Sequence, residues 1–390
     1  MSKLDELIAE LCPDGVEYIP LKQIAEVGTG SSDRVNAVDD GEYPFYVRSK
    51  TVFRSNRYLF DEEAIVIPGE GGIGDIFHYV NGKYDLHQRA YRIHFKDKEE
   101  VNTKYAYYYF AANFKKFIMM KAVNATVTSI RKPMIENFLL PLPPLPVQQE
   151  IVRILDKFTE LTAELTVELT ARKKQYEYYR DLLLTFDDDR KRKLAVQWLT
   201  IGEVCDLSAG GDVPKDRYSK EKTYKYNVPI LSNGIGDNAL YGYTDVAKIN
   251  QPCVTVAARG TIGYCALREN PFYPVVRLIC AIPHNMVNVR YLYYVMQTLN
   301  FQIPTSGIPQ LTVPMLAKYK IPVPPLEEQE RIVAILDRFD ALCNDLTSGL
   351  PAEIEARRKQ YEYYRDKLLT FPARPASQSG RREGGKEKTA

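Results

Sequence analysis

Residues 143 to 158 read P-P-L-P-V-Q-Q-E-I-V-R-I-L-D-K-F, and residues 324 to 339 read P-P-L-E-E-Q-E-R-I-V-A-I-L-D-R-F, the same pattern 181 positions later. Each copy continues into a second shared run: R-K-K-Q-Y-E-Y-Y-R-D-L-L-L-T-F from Arg172, and R-R-K-Q-Y-E-Y-Y-R-D-K-L-L-T-F from Arg357. Two ordered matches at this separation mark a duplicated module of domain size rather than a solenoid repeat. In the first copy Ile151, Leu155, Phe158, Thr162, Leu165, Leu169, Arg172, Tyr176, Tyr179, Leu183 and Phe186 fall at alternating steps of four and three. That rhythm keeps one stripe of a helix facing a partner helix, and only Thr162 and Arg172 break its apolar character. Roughly forty residues at 1.5 Å per residue make a rod of about 60 Å. The second copy carries the seam through Ile332, Leu336, Phe339, Cys343, Leu346, Leu350, Ile354, Arg357, Tyr361, Tyr364, Leu368 and Phe371, with one extra four-residue step at Leu350 to Ile354. Such a step is a stutter, and Gly349 and Pro351 beside it predict a kink or break. Two such rods with a domain between them are expected to pack antiparallel, each burying the other's stripe.

A chain of 390 residues accommodates two or three domains, and its apolar content of 45% and charged content of 26% are those of an ordinary soluble protein. No apolar run approaches the length of a membrane span, and the acidic and basic residues of the first eleven positions do not suit a signal peptide, so a cytoplasmic protein is expected. The six cysteines have no C-x-x-C spacing and the four histidines no H-x-x-x-H spacing, which points to reduced thiols and away from zinc. A net charge of +2 places any nucleic-acid binding in local patches rather than over the whole surface.

Along the chain, residues 1–17 form an N-terminal helical segment with Leu4, Leu7, Ile8 and Leu11 on one side, ended by Cys12-Pro13-Asp14-Gly15. Residues 18–145 change to short β-rich runs, among them Pro44 to Val47, Ala64 to Ile67, Ile76 to Val80 and Ala90 to Phe95, with a helix at Lys104 to Met120. Residues 146–196 hold the first long helix, 197–326 a second α+β domain, 327–371 the second long helix, and 372–390 a basic tail expected to be disordered. The two globular domains share landmarks. Ala64 to Gly74 aligns with Cys253 to Gly263, Val101 to Tyr108 with Val287 to Tyr294, and Ser129 to Ile135 with Gln310 to Leu316. Between the landmarks the polar loop residues differ, as two readers of one kind of ligand with different specificities would.

The order of domain, long helix, domain, long helix, with P-P-L-x-x-Q at each helix start, resembles the specificity subunits of type I restriction-modification systems from Tyr18 to Phe371. The resemblance implies two pseudo-repeated α/β target recognition domains, each reading one half of a split double-stranded DNA site. It also implies an antiparallel coiled coil that spaces the halves, two methyltransferase subunits docked on the coil, and motor-nuclease subunits that complete the restriction enzyme. This chain is then expected to carry no cofactor and no metal, with S-adenosylmethionine, ATP and Mg in the partner subunits. The rhythm Thr162-Ala163-Glu164-Leu165, Thr166-Val167-Glu168-Leu169 is similar to short spacer repeats of some members.

Catalytic motifs are not found. Gly69-Glu70-Gly71-Gly72-Ile73-Gly74 matches G-x-G-x-x-G, but the following Ile76 to Val80 reads as strand where a cofactor loop needs a helix. The second copy keeps only G-x-I-G, so a tight turn is expected. Asn270-Pro271-Phe272-Tyr273 lacks the second proline of an adenine methyltransferase motif, and no Walker lysine loop is present. A stand-alone methyltransferase or nuclease and a coiled-coil scaffold without DNA binding are the rival readings. For DNA contact the first domain offers Arg48, Lys50, Arg54, Arg57, Arg89 and Arg92, and the second Lys215, Lys225, Ser232, Asn233 and Arg259. Arginine and asparagine can pair with guanine and adenine edges, whereas lysine mostly meets phosphate. Tyr176, Tyr178, Tyr179, Tyr361, Tyr363 and Tyr364 exceed what one seam holds, so two equivalent partner-docking faces are expected, with packing on the adjacent domain as the alternative.

Overall fold

The structure, a computed structural model, describes residues 2–121, 129–303, 309–345 and 347–375. Its contacts divide the chain into two units, Met1–Leu165 with Ile354–Ala390, and Thr166–Glu353.

In the first unit, Ser2 caps helix α1 (Lys3–Leu11) through a capping box with Asp5, and buried Leu4 faces the core. The sheet contains β1 (Ala25–Thr29), β2 (Tyr43–Tyr46), β3 (Phe53–Ser55), β4 (Phe60–Pro68), β5 (His78–Leu86) and β6 (Ala90–Phe95). Their order is β1-β6-β4-β5-β2-β3, antiparallel except for the parallel pair of β2 with the end of β5. The run Ala64–Ile67 that marked a strand is wholly buried because both faces of β4 are covered. Ile65 and Ile67 meet α2 (Thr103–Lys121) through Tyr105, Phe110 and Phe114, while Ala64 and Val66 pack with Val80, Tyr84 and Leu86.

The second unit repeats this frame with one difference. Strands β7 (Cys205–Ala209), β10 (Cys253–Val256), β11 (Cys265–Arg268) and β13 (Ile279–Pro283) form one sheet in the order β7-β13-β10-β11. Strands β8 (Val228–Leu231), β9 (Leu240–Thr244) and β12 (Tyr273–Pro274) form another, with β12 parallel to β8. The continuous β5 of the first unit is thus matched by two strands, β11 and β12. Pro271 lies between them and cannot donate to a ladder. The Asn270-Pro271-Phe272-Tyr273 string is therefore a strand break with Phe272 as a buried anchor. The core is closed by α4 (Val289–Gln297), whose Tyr291, Tyr294 and Val295 pack on Val254, Val256, Ile279 and Ala281.

The repeated stretches become long helices. Helix α3 (Leu145–Leu184) is continuous over 40 residues, whereas the second copy divides into α5 (Leu326–Asn344) and α6 (Leu350–Leu368) at the expected break. There Asp345 accepts from the Thr347 backbone and from the hydroxyls of Thr347 and Ser348, and a Cβ on Gly349 would lie 2.5 Å from the Ala341 carbonyl oxygen. Leu346 of the seam lies outside the described residues. In the first unit α3 meets α6, with Phe158 stacked on Tyr364 at 5.6 Å; in the second it meets α5, with Tyr179 stacked on Phe339 at 5.7 Å. The early part of α3 against the late part of the other copy, and the reverse, is an antiparallel coiled coil.

What anchors each helix to its domain is the glutamine of P-P-L-x-x-Q. Gln148 is fully buried, accepts from the Asn102 N–H (2.8 Å) and donates to the carbonyls of Glu100 (2.9 Å) and Pro143 (2.8 Å). Gln329 is equally buried, accepts from the Asn288 N–H (2.8 Å) and donates to the carbonyls of Met286 (3.0 Å) and Pro324 (2.8 Å). A second repeated tie joins Tyr108 and Lys104 to Asp156, and Tyr294 and Arg290 to Asp337. Beyond Phe371, Pro372 and Arg374 hydrogen-bond to Val16, and the rest of the tail from residue 376 lies outside the described residues.

Candidate nucleic-acid interface

The strand ends of each frame bring together a set of polar side chains. In the first unit β4 ends at Pro68; the carbonyl of the next residue, Gly69, accepts from Ile130 N–H at 2.9 Å, and Glu70 after it bridges Ser129. A single oxygen of Glu70, Oε2, accepts from Arg48 Nη1 (2.9 Å), which follows β2, and from Arg89 Nη1 (3.0 Å), in the turn between β5 and β6. The Arg89 guanidinium, with Arg48 behind it, holds the Glu70 carboxyl below the usual carboxylate range. Beside them burial keeps the His87 imidazole below its ordinary pKa, consistent with its Nδ1 accepting from Arg89 N–H at 2.9 Å. The Gly-rich stretch is the tight turn expected: Gly71, Gly72 and Gly74 all have positive φ and strand follows, not a helix that could open on a cofactor.

The same corner of the second unit is built from different side chains. Ala258 accepts from Leu311 N–H at 3.0 Å, matching Gly69 with Ile130, so Arg259 occupies the place of Glu70. Arg259 donates through Nε (3.0 Å) and Nη2 (2.7 Å) to one oxygen of Gln310. Asn233 follows β8 as Arg48 follows β2; its Oδ1 accepts from Ala258 N–H (2.8 Å) and its Nδ2 donates to the Val276 carbonyl (2.7 Å). By strand register Ile67 faces Tyr91 and Val256 faces Ile279, which makes Arg277 the counterpart of Arg89. Arg277 is exposed, and it and Val276 have φ of 62° and 54°, a conformation few residues other than glycine adopt. Backbone bonds from both to Gly210 and Gly211 hold them there.

Of the candidate residues, the structure therefore gathers Arg48 with Arg89, and Asn233 with Arg259. Lys50, Lys215 and Lys225 are exposed, the last over the Tyr226 ring; Ser232 donates to the Ala239 carbonyl. Three arginines are engaged internally. Arg54 donates to the Gly41 and Glu42 carbonyls, and Arg57 donates to Ser32 and lies 3.6 Å from fully buried Asp85. Arg92 is buried between Glu26 and Glu62 over the Phe60 ring. Glu70 is missing from the candidates because it is acidic, and Arg277 because its position is set by backbone bonds to Gly210 and Gly211 rather than by its neighbours in sequence. The alignment of Ala64 to Gly74 with Cys253 to Gly263 already set Glu70 opposite Arg259.

The tyrosines also divide. Tyr176 is buried in the core of the second unit, and Tyr361 packs on the core of the first. Tyr179 and Tyr364 stack in the seam, while Tyr178 and Tyr363 stay 65% and 64% exposed. Packing on the adjacent domain thus accounts for Tyr176 and Tyr361, and Tyr178 and Tyr363 lie open at the surface. Among the described residues no group of three His, Cys, Asp or Glu could hold a metal, all six cysteines are buried thiols, and no helix is long and apolar enough to cross a membrane.

Comparison with known proteins places these observations. The family described as "Type I restriction modification DNA specificity domain" matches residues 13–172 and 195–356. A type I specificity subunit of Mycoplasma pneumoniae is 34% identical over 331 residues, covering 82% of this chain and 96% of its own. The EcoR124I/EcoR124II specificity subunit of Escherichia coli is 39% identical over 248 residues, covering 58% of this chain and 60% of its own. The crystal structure of a type I system S subunit from M. genitalium aligns with a TM-score of 0.61 at 16% identity, over 91% of this chain and 96% of the other.

Proposed function

Since the chain belongs to the family of type I restriction-modification DNA specificity subunits, we propose that each of its two α+β domains reads one half of a split DNA site at the corner where the ends of β4 and β10 turn. It is a DNA-recognition subunit, not a catalytic one, and it assembles with other subunits of its system. In this reading Arg48 and Arg89 serve one half-site and Asn233, Arg259 and Arg277 the other. Lys50, Lys215 and Lys225 supply phosphate contacts. The observation that carries it is the pair of register-equivalent corners: one frame, held by the same backbone bonds, presents different polar chemistry. That is what two domains of one function and different sequence preference require.

The finer composition of the complex follows as part of the proposal. Two methyltransferase subunits dock on the coil through the exposed faces around Tyr178 and Tyr363, which recur once in each copy. Motor-nuclease subunits join for restriction, in the cytoplasm. S-adenosylmethionine, ATP and Mg belong to those partners.

The test uses the full chain. Incubated alone with duplex DNA it transfers no methyl group and cuts nothing, yet retains the duplex in a salt-dependent manner. Exchanging residues 18 to 144 for the corresponding domain of a relative changes one half of the recognised motif. A change in both halves overturns independent reading, and failure to retain any duplex favours a scaffold without DNA binding.

A further inference from the structure

Glu70 is an unexpected residue for a surface that meets DNA, because a bare carboxylate is repelled by the phosphates. Its setting removes the objection. With Arg48 and Arg89 both on Oε2, the cluster carries a net charge of +1, and the turn that holds it opens outward: a Cβ on Gly71 would meet nothing within 4 Å. The other oxygen, Oε1, has no hydrogen-bond partner among the described residues, so one acceptor remains free on a half-exposed side chain. A salt bridge serving stability alone would place little demand on this site, since exposed pairs contribute roughly 0 to 1 kcal/mol. At the equivalent place the second unit holds Arg259, fixed from one edge by Gln310 through Nε and Nη2, while Nη1 has no hydrogen-bond partner among the described residues. Opposite charges at one position of a duplicated frame are what complementary base edges call for. In the major groove a carboxylate accepts from the N4 amino group of cytosine, and arginine donates to O6 and N7 of guanine.

We propose that Glu70 and Arg259 are the equivalent base-reading position of the two domains, Glu70 accepting from a cytosine amino group in one half-site and Arg259 donating to a guanine in the other. Arg48 and Arg89 are positioning residues for Glu70: they fix its rotamer and neutralise it for approach to the duplex. This rests on the reading of the chain as a two-domain DNA-recognition subunit.

The experiment selects duplexes from a random-sequence library with the full chain, its Glu70→Ala and Glu70→Gln variants, and Arg259→Ala. The wild type recovers a split motif with a cytosine in one half that Glu70→Ala no longer prefers, discrimination there falling by about fivefold or more while the other positions persist. Because a glutamine pairs with adenine N6 and N7, Glu70→Gln moves that position from cytosine toward adenine. Arg259→Ala relaxes a guanine in the opposite half only. If the wild type recovers a split motif and both Glu70 variants keep it unchanged, or Glu70→Ala weakens all duplexes alike, the inference is overturned while the DNA-recognition reading stands. A wild type that recovers no motif overturns both.

Discussion

Replacing Gln148 or Gln329 by alanine removes one acceptor and two donor bonds from a site with no solvent access. At about 1 kcal/mol per bond, with an added penalty for buried backbone groups left unpaired, each substitution should cost about 3 to 4 kcal/mol. For units of this size that is a fall in melting temperature of roughly 10 °C. The effects can be assigned because the single tryptophan, Trp198, belongs to the second unit. Gln329→Ala should shift the fluorescence-detected urea transition, whereas Gln148→Ala should shift the transition of the first unit, seen in far-UV circular dichroism. Glutamate is nearly isosteric but cannot donate, and it places a carboxylate against two carbonyl oxygens; Gln148→Glu should therefore be at least as damaging as alanine. Shifts below about 1 kcal/mol at both positions would refute the view that this glutamine fastens helix to domain.

Other predictions follow from the same geometry. Glu150, buried against Arg153 and Lys3, has its carboxyl lowered from 4.5 to about 2, chiefly by the Arg153 hydrogen bond. A depressed folded-state pKa means stability present above the unfolded value and lost as pH falls from about 4.5 toward 2. Discounted for the exposed partners, the loss is roughly 1 to 2 kcal/mol, and Glu150→Gln should remove it from an acid titration. Tyr178→Ala and Tyr363→Ala should leave folding within about 0.5 kcal/mol of wild type and weaken methyltransferase binding by about fivefold or more in a pull-down titration; unchanged binding removes them from the docking face. Deleting Thr162 to Leu165 shortens a helix by about 6 Å and turns its end by about 40°. One base pair turns about 34°, so the gap between methylated half-sites should shrink by one base pair, or at most two, with the bases unchanged. An active complex with an unaltered gap would contradict this.

Much of the architecture was legible because it is written in periodicity. Alternating steps of four and three gave the coil, Gly349 and Pro351 gave its break, and the apolar run at Ala64–Ile67 gave a central strand. The anchoring role of Gln148 was harder to see. The residue stood in the repeated motif, but its partners Glu100 and Asn102 lie nearly fifty positions away, in a segment recognised as repeated without being linked to it. Basic residues were easy to list and hard to rank, because sequence does not say which guanidinium is already satisfied. Arg92 between two glutamates and Arg54 on two carbonyls look, in the chain, like Arg48. Arg277 was invisible for another reason: its left-handed backbone is imposed by Gly210 and Gly211 across the sheet, and nothing in Val276-Arg277 itself announces it.

Reading of two halves of one DNA site by two domains of one chain should be visible in the methylation pattern of a cell. Sequencing the methylated adenines of cells that carry this chain together with the methyltransferase subunit proposed to dock on it gives the readout. A single split motif, methylated in both halves across a fixed gap, is the expected result. A continuous motif, or no methylation that depends on this chain, would contradict it.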